Sequence, residues 1–420
     1  MESLSRDHSA KLEAMAHNTI IFLLAFLWFI ELNIIGRLFF IELVYIVIAG
    51  LIILTPGRLS ISPFMKKVLV LLGISLLALI LTDWYRGTAF QDYSRGWSKI
   101  FFLGINVFVI YHLCQNNRQR LFIFLFGLAV GGLVKPSFFP EPNFVAGGFW
   151  KTGYGIPATT LGFLAAYSFG INGVGVAFGL ALLNLGLGFR SLALSCLAAT
   201  LVPILSQTRY FKLLKNPGTI LRNALAVILI VGGFTYWYYN IGTFDPGTIA
   251  MGQYKLEEAE KNPLYGRLEF LVGLVAVWDS PIVGRGSWAK DPKYATMLEQ
   301  MFEKVGREDF YGEGLFETLI PSHSYLIGSW VEAGICGALF WFFLLFQSLK
   351  GMVYLRNFKI ELVASLAFFL SWFIWNILFT PLGAGERLTA AFFIVLLNWV
   401  LTQPQGLANG GIESPKPVNS

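Results

Sequence analysis

The sequence predicts an all-α, polytopic membrane protein: a helical bundle of about twelve transmembrane helices with one large outer loop. Three observations predict it. Hydrophobic residues fill 55% of the 420 positions and charged residues only 13%, against about a quarter charged in soluble chains. The mean hydropathy is +0.63. Apolar runs recur that are long enough to cross a bilayer core, which takes roughly 20 residues per helix, and the ten-residue alternation of a membrane barrel is missing.

Read between charges, prolines and glycines, the runs lie near 19–35, 38–54, 67–82, 98–114, 120–134, 155–170, 172–188, 191–206, 221–240, 323–349, 360–379 and 387–403. The first 18 residues are polar with mixed charge, and the run after them lacks a small-residue cleavage site, which predicts a retained anchor. Basic residues orient the chain. Arg58, Lys66 and Lys67 follow the second run, Arg118 and Arg120 the fourth, Arg209, Lys212, Lys215 and Arg222 the eighth, and Lys350, Arg356 and Lys359 the tenth. Every second loop is therefore basic and expected to be cytoplasmic, as are both termini.

The segment 241–322 then lies outside, and it holds thirteen acidic against eight basic residues. Within it, "NPLYGRLEFLVGLVAVWDSPIVGRG" carries about thirteen apolar residues between Pro263 and Pro281. That is too short to span and predicts a helix at the outer interface. The chain thus divides into spans one to nine (1–240), the outer loop (241–322), spans ten to twelve (323–403) and a polar tail (404–420) expected to be disordered.

Several function classes lose support. The surplus of positive charge follows the loops, which argues for topology and against a nucleic-acid surface. Cys114, Cys196 and Cys336 fall inside predicted spans with no C-x-x-C spacing, so neither a disulfide framework nor a thiolate metal site is expected. D-x-D, HExxH and Walker patterns are missing too, so the chemistry expected needs no metal and no cofactor.

Two ionisable residues stand out in "PSHSYLIGSWVEAGICG": His323, and Glu332 nine residues on. In a continuous helix, His323 shares a face with Gly334 and Gly337, and Glu332 points the other way, roughly 13 Å deeper. On this reading the glycines seat a neighbouring helix, Glu332 is a buried structural anchor, and His323 stands alone at the outer end. An interfacial histidine satisfied by water is the alternative. Outer arginines supply context: Arg190 in "LGFRSLALS", Arg86 and Arg95 in "DWYRGTAFQDYSRGW", and Arg267 and Arg285 in the loop. A guanidinium forks two N–H bonds onto a phosphate, so several converging would suit a diphosphate; singly, each could be an arginine snorkelling to water.

The run "HSYLIGSWVEAGICG" fits H-[NSQ]-x9-G-x2-[GTY] with His323, Ser324, Gly334 and Gly337. It resembles the signature of the O-antigen ligase and O-antigen polymerase superfamily. "YGRLEFLVGLVAVWDSPIVGRGSW" and "FRSLALS" resemble two further segments of that family, and the likeness covers about Gly186 to Gly337. It departs at Arg285, where a small apolar residue is usual, and in "NFVAGGFWKTGYG", which matches loosely.

The resemblance implies a GT-C-like bundle in the bacterial inner membrane that acts as a metal-independent, inverting glycosyltransferase. Its implied partners are an undecaprenyl-diphosphate glycan as donor, a saccharide acceptor and membrane lipids, with no nucleic acid. It implies that the histidine at 323 activates the acceptor hydroxyl and that Arg190 and Arg267 hold the diphosphate, with Arg285, Arg86 and Arg95 as additions. A ligase acting on lipid A-core oligosaccharide and a polymerase acting on another lipid-linked repeat unit share the signature, as does a protein-directed transferase. A transporter or flippase of lipid-linked sugars is the alternative from another class.

Overall fold

A computed structural model of the protein describes residues 2–33, 36–55, 60–140, 148–207, 268–304 and 319–403. The span predicted at 221–240, Arg267 and the tail lie outside these residues. Eight helices come first: α1 (Glu2–Phe26), α2 (Phe40–Leu54), α3 (Pro63–Arg86), α4 (Phe90–Cys114), α5 (Arg118–Phe138), α6 (Gly155–Ser168), α7 (Gly173–Gly186) and α8 (Arg190–Gln207). Five more follow: α9 (Leu268–Asp279), α10 (Pro292–Lys304), α11 (Tyr325–Tyr354), α12 (Ile360–Phe379) and α13 (Ala384–Thr402). Strands β1 (Glu31–Asn33) and β2 (Arg37–Phe39) form an antiparallel hairpin with Leu32 opposite Leu38.

Seven of these helices are long and apolar enough to cross a bilayer, and α2, α7 and α8 are shorter apolar helices. The chain is therefore a nearly all-helical, multi-pass membrane protein. Local chemistry sets the ends. Ser62 accepts the Met65 N–H at 3.2 Å and Pro63 opens α3, whose first amides need no helical partner. Asn117 caps α5 and Asn172 caps α7 in the same way.

Burial ranks the helices. In α12 and α13, 72% of the apolar window is inside the protein, against 11% in α1, so the last two helices are the central posts. Offset aromatic pairs tie neighbours to them, Phe163 with Phe368 at 4.5 Å and Phe124 with Phe392 at 5.7 Å. A charge pair is buried among them: Arg387 donates to Glu42 at 2.6 Å, and Glu42 also accepts from Asn106 and from the Phe39 N–H. Such a pair persists in an apolar interior only when its lone pairs are filled, as here.

Side-chain contacts collect the functional candidates at one end, marked by the hairpin. Glu31 pairs with Lys135 at the end of α5 at 2.7 Å, and Arg387 at the start of α13 donates to the Arg37 carbonyl. At the opposite end Asn398 and Asn116 join the start of α3 to the ends of α4 and α13.

Candidate functional site

The hairpin end is organised around a break in α11. Ala333 (φ −117°, ψ 15°) and Gly334 (φ 63°, ψ −157°) leave helical geometry, so Tyr325–Tyr354 is two helices in line. The turn between α9 and α10 fills the gap. Arg285 N–H donates to the Val331 carbonyl at 2.7 Å, Gly286 N–H to Glu332 at 3.0 Å, and Ile335 N–H returns to Ile282 at 3.3 Å. The groups orphaned by the break are thus satisfied by another segment.

This corrects three expectations drawn from a continuous helix. His323 precedes the helix and shares no helical face with the glycines. Gly334 seats a turn: a Cβ there would stand 1.9 Å from the Ile282 carbonyl oxygen. Gly337 seats the first half of its own helix, since a Cβ would lie 2.3 Å from Ser329 O. The helical pattern of apolar residues runs unbroken through both positions, so periodicity could not reveal the break.

Glu332 lies beside the break and ion-pairs with Lys99 of α4 at 2.5 Å, while its other oxygen accepts the Trp288 N–H at 3.4 Å. It thereby joins α11 to α4 and to the turn, through a charge partner that the sequence does not reveal. Asp83 is a second anchor, 2% exposed, accepting Ser287 N–H and Oγ–H at 2.6 Å each and the Trp97 indole at 2.7 Å. Ser287 sits on Gly96, where a Cβ would come within 2.0 Å of its Oγ.

Three of the predicted arginines meet on this turn. Arg86 donates twice to the Gly284 carbonyl, at 2.7 and 3.2 Å, and once to Ser280 at 3.0 Å. Arg95 lies over the Trp288 ring at 5.7 Å. Arg285 is held by Asp291 at 3.0 Å and Asp279 at 3.8 Å, and donates to the hydroxyl of buried Tyr294. Hydrogen bonds from Lys293 and then Tyr294 hold the Asp279 carboxyl below its ordinary range. Burial, then the bond to Asp279, pushes the Tyr294 phenol up to about 12. Arg285 therefore spends its charge on carboxylates of its own loop.

His323 follows Pro321 and Ser322, which pack against Gly273 of α9. It is exposed and bonded to no described residue. Its neighbour fixes it: Ser324 caps α11 by accepting the Ile327 N–H at 3.1 Å and donates to the Ile377 carbonyl near the end of α12 at 2.9 Å. Tyr325, next along, donates to Glu386 at 3.2 Å. Glu386 lines a cavity of about 210 Å³ whose walls are apolar below, with Leu125, Phe369 and Phe393, and carry Lys135 and Lys151 above. Trp372 of the same wall packs edge-on against Phe189 at 5.9 Å, and exposed Arg190 follows as the first residue of α8.

The predicted residues thus fall into two groups. Arg86, Arg95, Arg285 and Glu332 share the turn and the break; His323 and Arg190 do not line the cavity and connect to it only through neighbours, Tyr325 bonding Glu386 and Phe189 packing on Trp372. Asp83, Lys99, Lys135 and Trp288 escaped sequence reasoning, although Asp83 stands in the same "DWYRG" string as Arg86. An acidic residue in the last turn of an apolar helix was the available signal. Comparison of the chain with family models, with curated proteins and with solved structures gives no match.

Proposed function

We propose that the chain is a membrane glycosyltransferase that moves a glycan from an undecaprenyl-diphosphate donor to an acceptor hydroxyl, that of lipid A-core oligosaccharide, on the outer face of the inner membrane. Twelve spans with both termini cytoplasmic belong to this proposal. The observation that carries it is His323. Its imidazole is exposed, bonded to no described residue, and held at the apolar bundle's end by Ser324, two residues before the tyrosine that bonds Glu386 of the cavity wall.

In this reading the lipid tail lies along the apolar cavity wall, and the diphosphate is held by Arg190 and Arg267. A cation at the start of a helix suits an anion, because the helix dipole adds to its charge. Neutral His323 takes the acceptor's hydroxyl proton as that oxygen attacks the anomeric carbon. The bond from that carbon to the diphosphate breaks, its electron pair leaves on the phosphate oxygen, and the configuration inverts. A general base contributes roughly 10² to 10⁴ in rate, so positioning and stabilisation of the departing diphosphate must supply the rest. Arg285, matched with two carboxylates, is assigned to the loop's structure.

The break in α11 favours a second reading, transport of lipid-linked sugars, because discontinuous helices line transporter sites. Against it, the freed carbonyls of Val331 and Glu332 are already taken by Arg285 and Gly286 N–H groups. Purified protein in proteoliposomes decides: with undecaprenyl-diphosphate glycan and lipid A-core oligosaccharide, a glycosylated acceptor supports transfer. Elongated lipid-linked glycan instead identifies a polymerase, and movement of unaltered donor across the bilayer supports transport.

A further inference from the structure

We propose that the cleft between the α3–α4 turn and the outer loop is a saccharide-binding subsite, in which a sugar ring lies on the indole of Trp288 and bonds to Asp92, Thr88 and Arg86. The cleft measures about 310 Å³ and is lined by these residues with Lys290, which places it at the lower end of small-ligand pockets, about 300–1,000 Å³.

Trp288 is presented, not merely left over. It is 41% exposed and adopts φ 49°, a left-handed conformation that non-glycine residues rarely hold. Two carboxylates hold the backbone that way. Asp83 takes both polar groups of Ser287 at 2.6 Å, and Glu332 takes the Trp288 N–H at 3.4 Å. Strained residues that the surroundings over-determine cluster at ligand sites. The ring is also covered on one side by Arg95 at 5.7 Å, so the guanidinium steadies it.

The polar atoms around it are of the kind sugars need. Asp92 bonds Lys290 through Oδ2 at 2.6 Å, and its Oδ1 has no partner among the described residues. Nor do the Thr88 hydroxyl and the Trp288 indole N–H among those residues. An indole face receives the C–H face of a pyranose, while planar carboxylate and guanidinium groups bond the hydroxyls at its edge. Arg86 adds a preference. Among the described residues all its hydrogen bonds are to neutral oxygens, Gly284 and Ser280, which leaves its charge for a sugar carrying an acidic group.

Binding at this cleft stands by itself; its role as the acceptor's subsite rests on the glycosyl-transfer reading. The test uses full-length protein in lipid nanodiscs and core oligosaccharide released from lipid A, with affinity measured by calorimetry. Wild type and Gly179→Ala, where nothing lies within 4 Å of the added methyl, should bind alike. Trp288→Ala should weaken binding roughly tenfold or more, as loss of a central aromatic anchor does, and Trp288→Phe should restore part of it. Asp92→Asn provides a second variant that leaves the turn's anchors intact and should also weaken binding. No saturable binding to wild type, or equal affinity in wild type, Trp288→Ala and Asp92→Asn, overturns the subsite. In a transfer assay Trp288→Ala should raise KM for the acceptor and spare kcat. Binding that depends on Trp288 without any transfer would sustain the subsite and sink the transferase reading; transfer with an unchanged KM in Trp288→Ala would do the reverse.

Discussion

Replacing Gly334 by alanine tests whether the break in α11 is built into the fold. The added methyl would stand 1.9 Å from the Ile282 carbonyl oxygen and 2.5 Å from its carbon, and both are backbone atoms that no rotamer change can move. The backbone at φ 63°, ψ −157° belongs to a region that is essentially glycine-only, so strain adds about 1–3 kcal/mol. Relief requires the turn to withdraw, and the three hydrogen bonds between the turn and α11 go with it, each worth roughly 0.5–1.5 kcal/mol net. The sum is roughly 2.5–7.5 kcal/mol. Unfolding in mixed detergent micelles would measure it, with Gly179→Ala as the control, because nothing lies within 4 Å of that position. The control should gain roughly 0.5–1 kcal/mol from the better helix former. Amide exchange at Arg285 and Gly286 should accelerate in Gly334→Ala alone. Equal stability of the two variants, or unchanged exchange at those amides, would refute the reasoning.

Two other expectations follow from the same network. Lys99→Ala or Glu332→Ala alone leaves a half-buried charge without its partner, each side chain being 14% exposed, and should destabilise by about 3–5 kcal/mol; Lys99→Met with Glu332→Gln should recover much of that in the same unfolding assay. The loop that carries α9 and α10 should loosen at both extremes of pH. Asp279 is lowered by its bonds from Lys293 and Tyr294, so its contribution is present above about pH 4 and lost as pH falls further. Tyr294 is raised to about 12, so its contribution is whole below about pH 10 and lost as pH climbs through the raised value. Proteolysis of the loop against pH would follow both limbs, with Asp279→Asn flattening the acid limb and Tyr294→Phe the alkaline one.

The helices were legible because hydropathy, caps and breakers act locally. Ile360–Phe379 begins and ends where the apolar run does, and the closely spaced trio from Gly155 to Gln207 separates at Gly170 and Gly188, both with positive φ. The break at Gly334 was not legible, since its cause is a turn some fifty residues upstream in sequence. The same holds for the site. Arg86, Arg95 and Arg285 were visible as outer cations, yet charge alone does not tell a phosphate ligand from an arginine matched to Asp279 and Asp291. Long-range pairs such as Lys99 with Glu332 and Asp83 with Ser287 exist only once the bundle has formed.

The central claim is that His323 is the base for glycosyl transfer. The direct measurement compares wild type with His323→Ala in proteoliposomes supplied with undecaprenyl-diphosphate glycan and lipid A-core oligosaccharide, after confirming equal insertion and equal unfolding midpoints. The account predicts transfer by wild type and a loss of at least about 10²-fold in kcat for the variant, the lower bound for a general base. A variant that transfers glycan at the wild-type rate would contradict it.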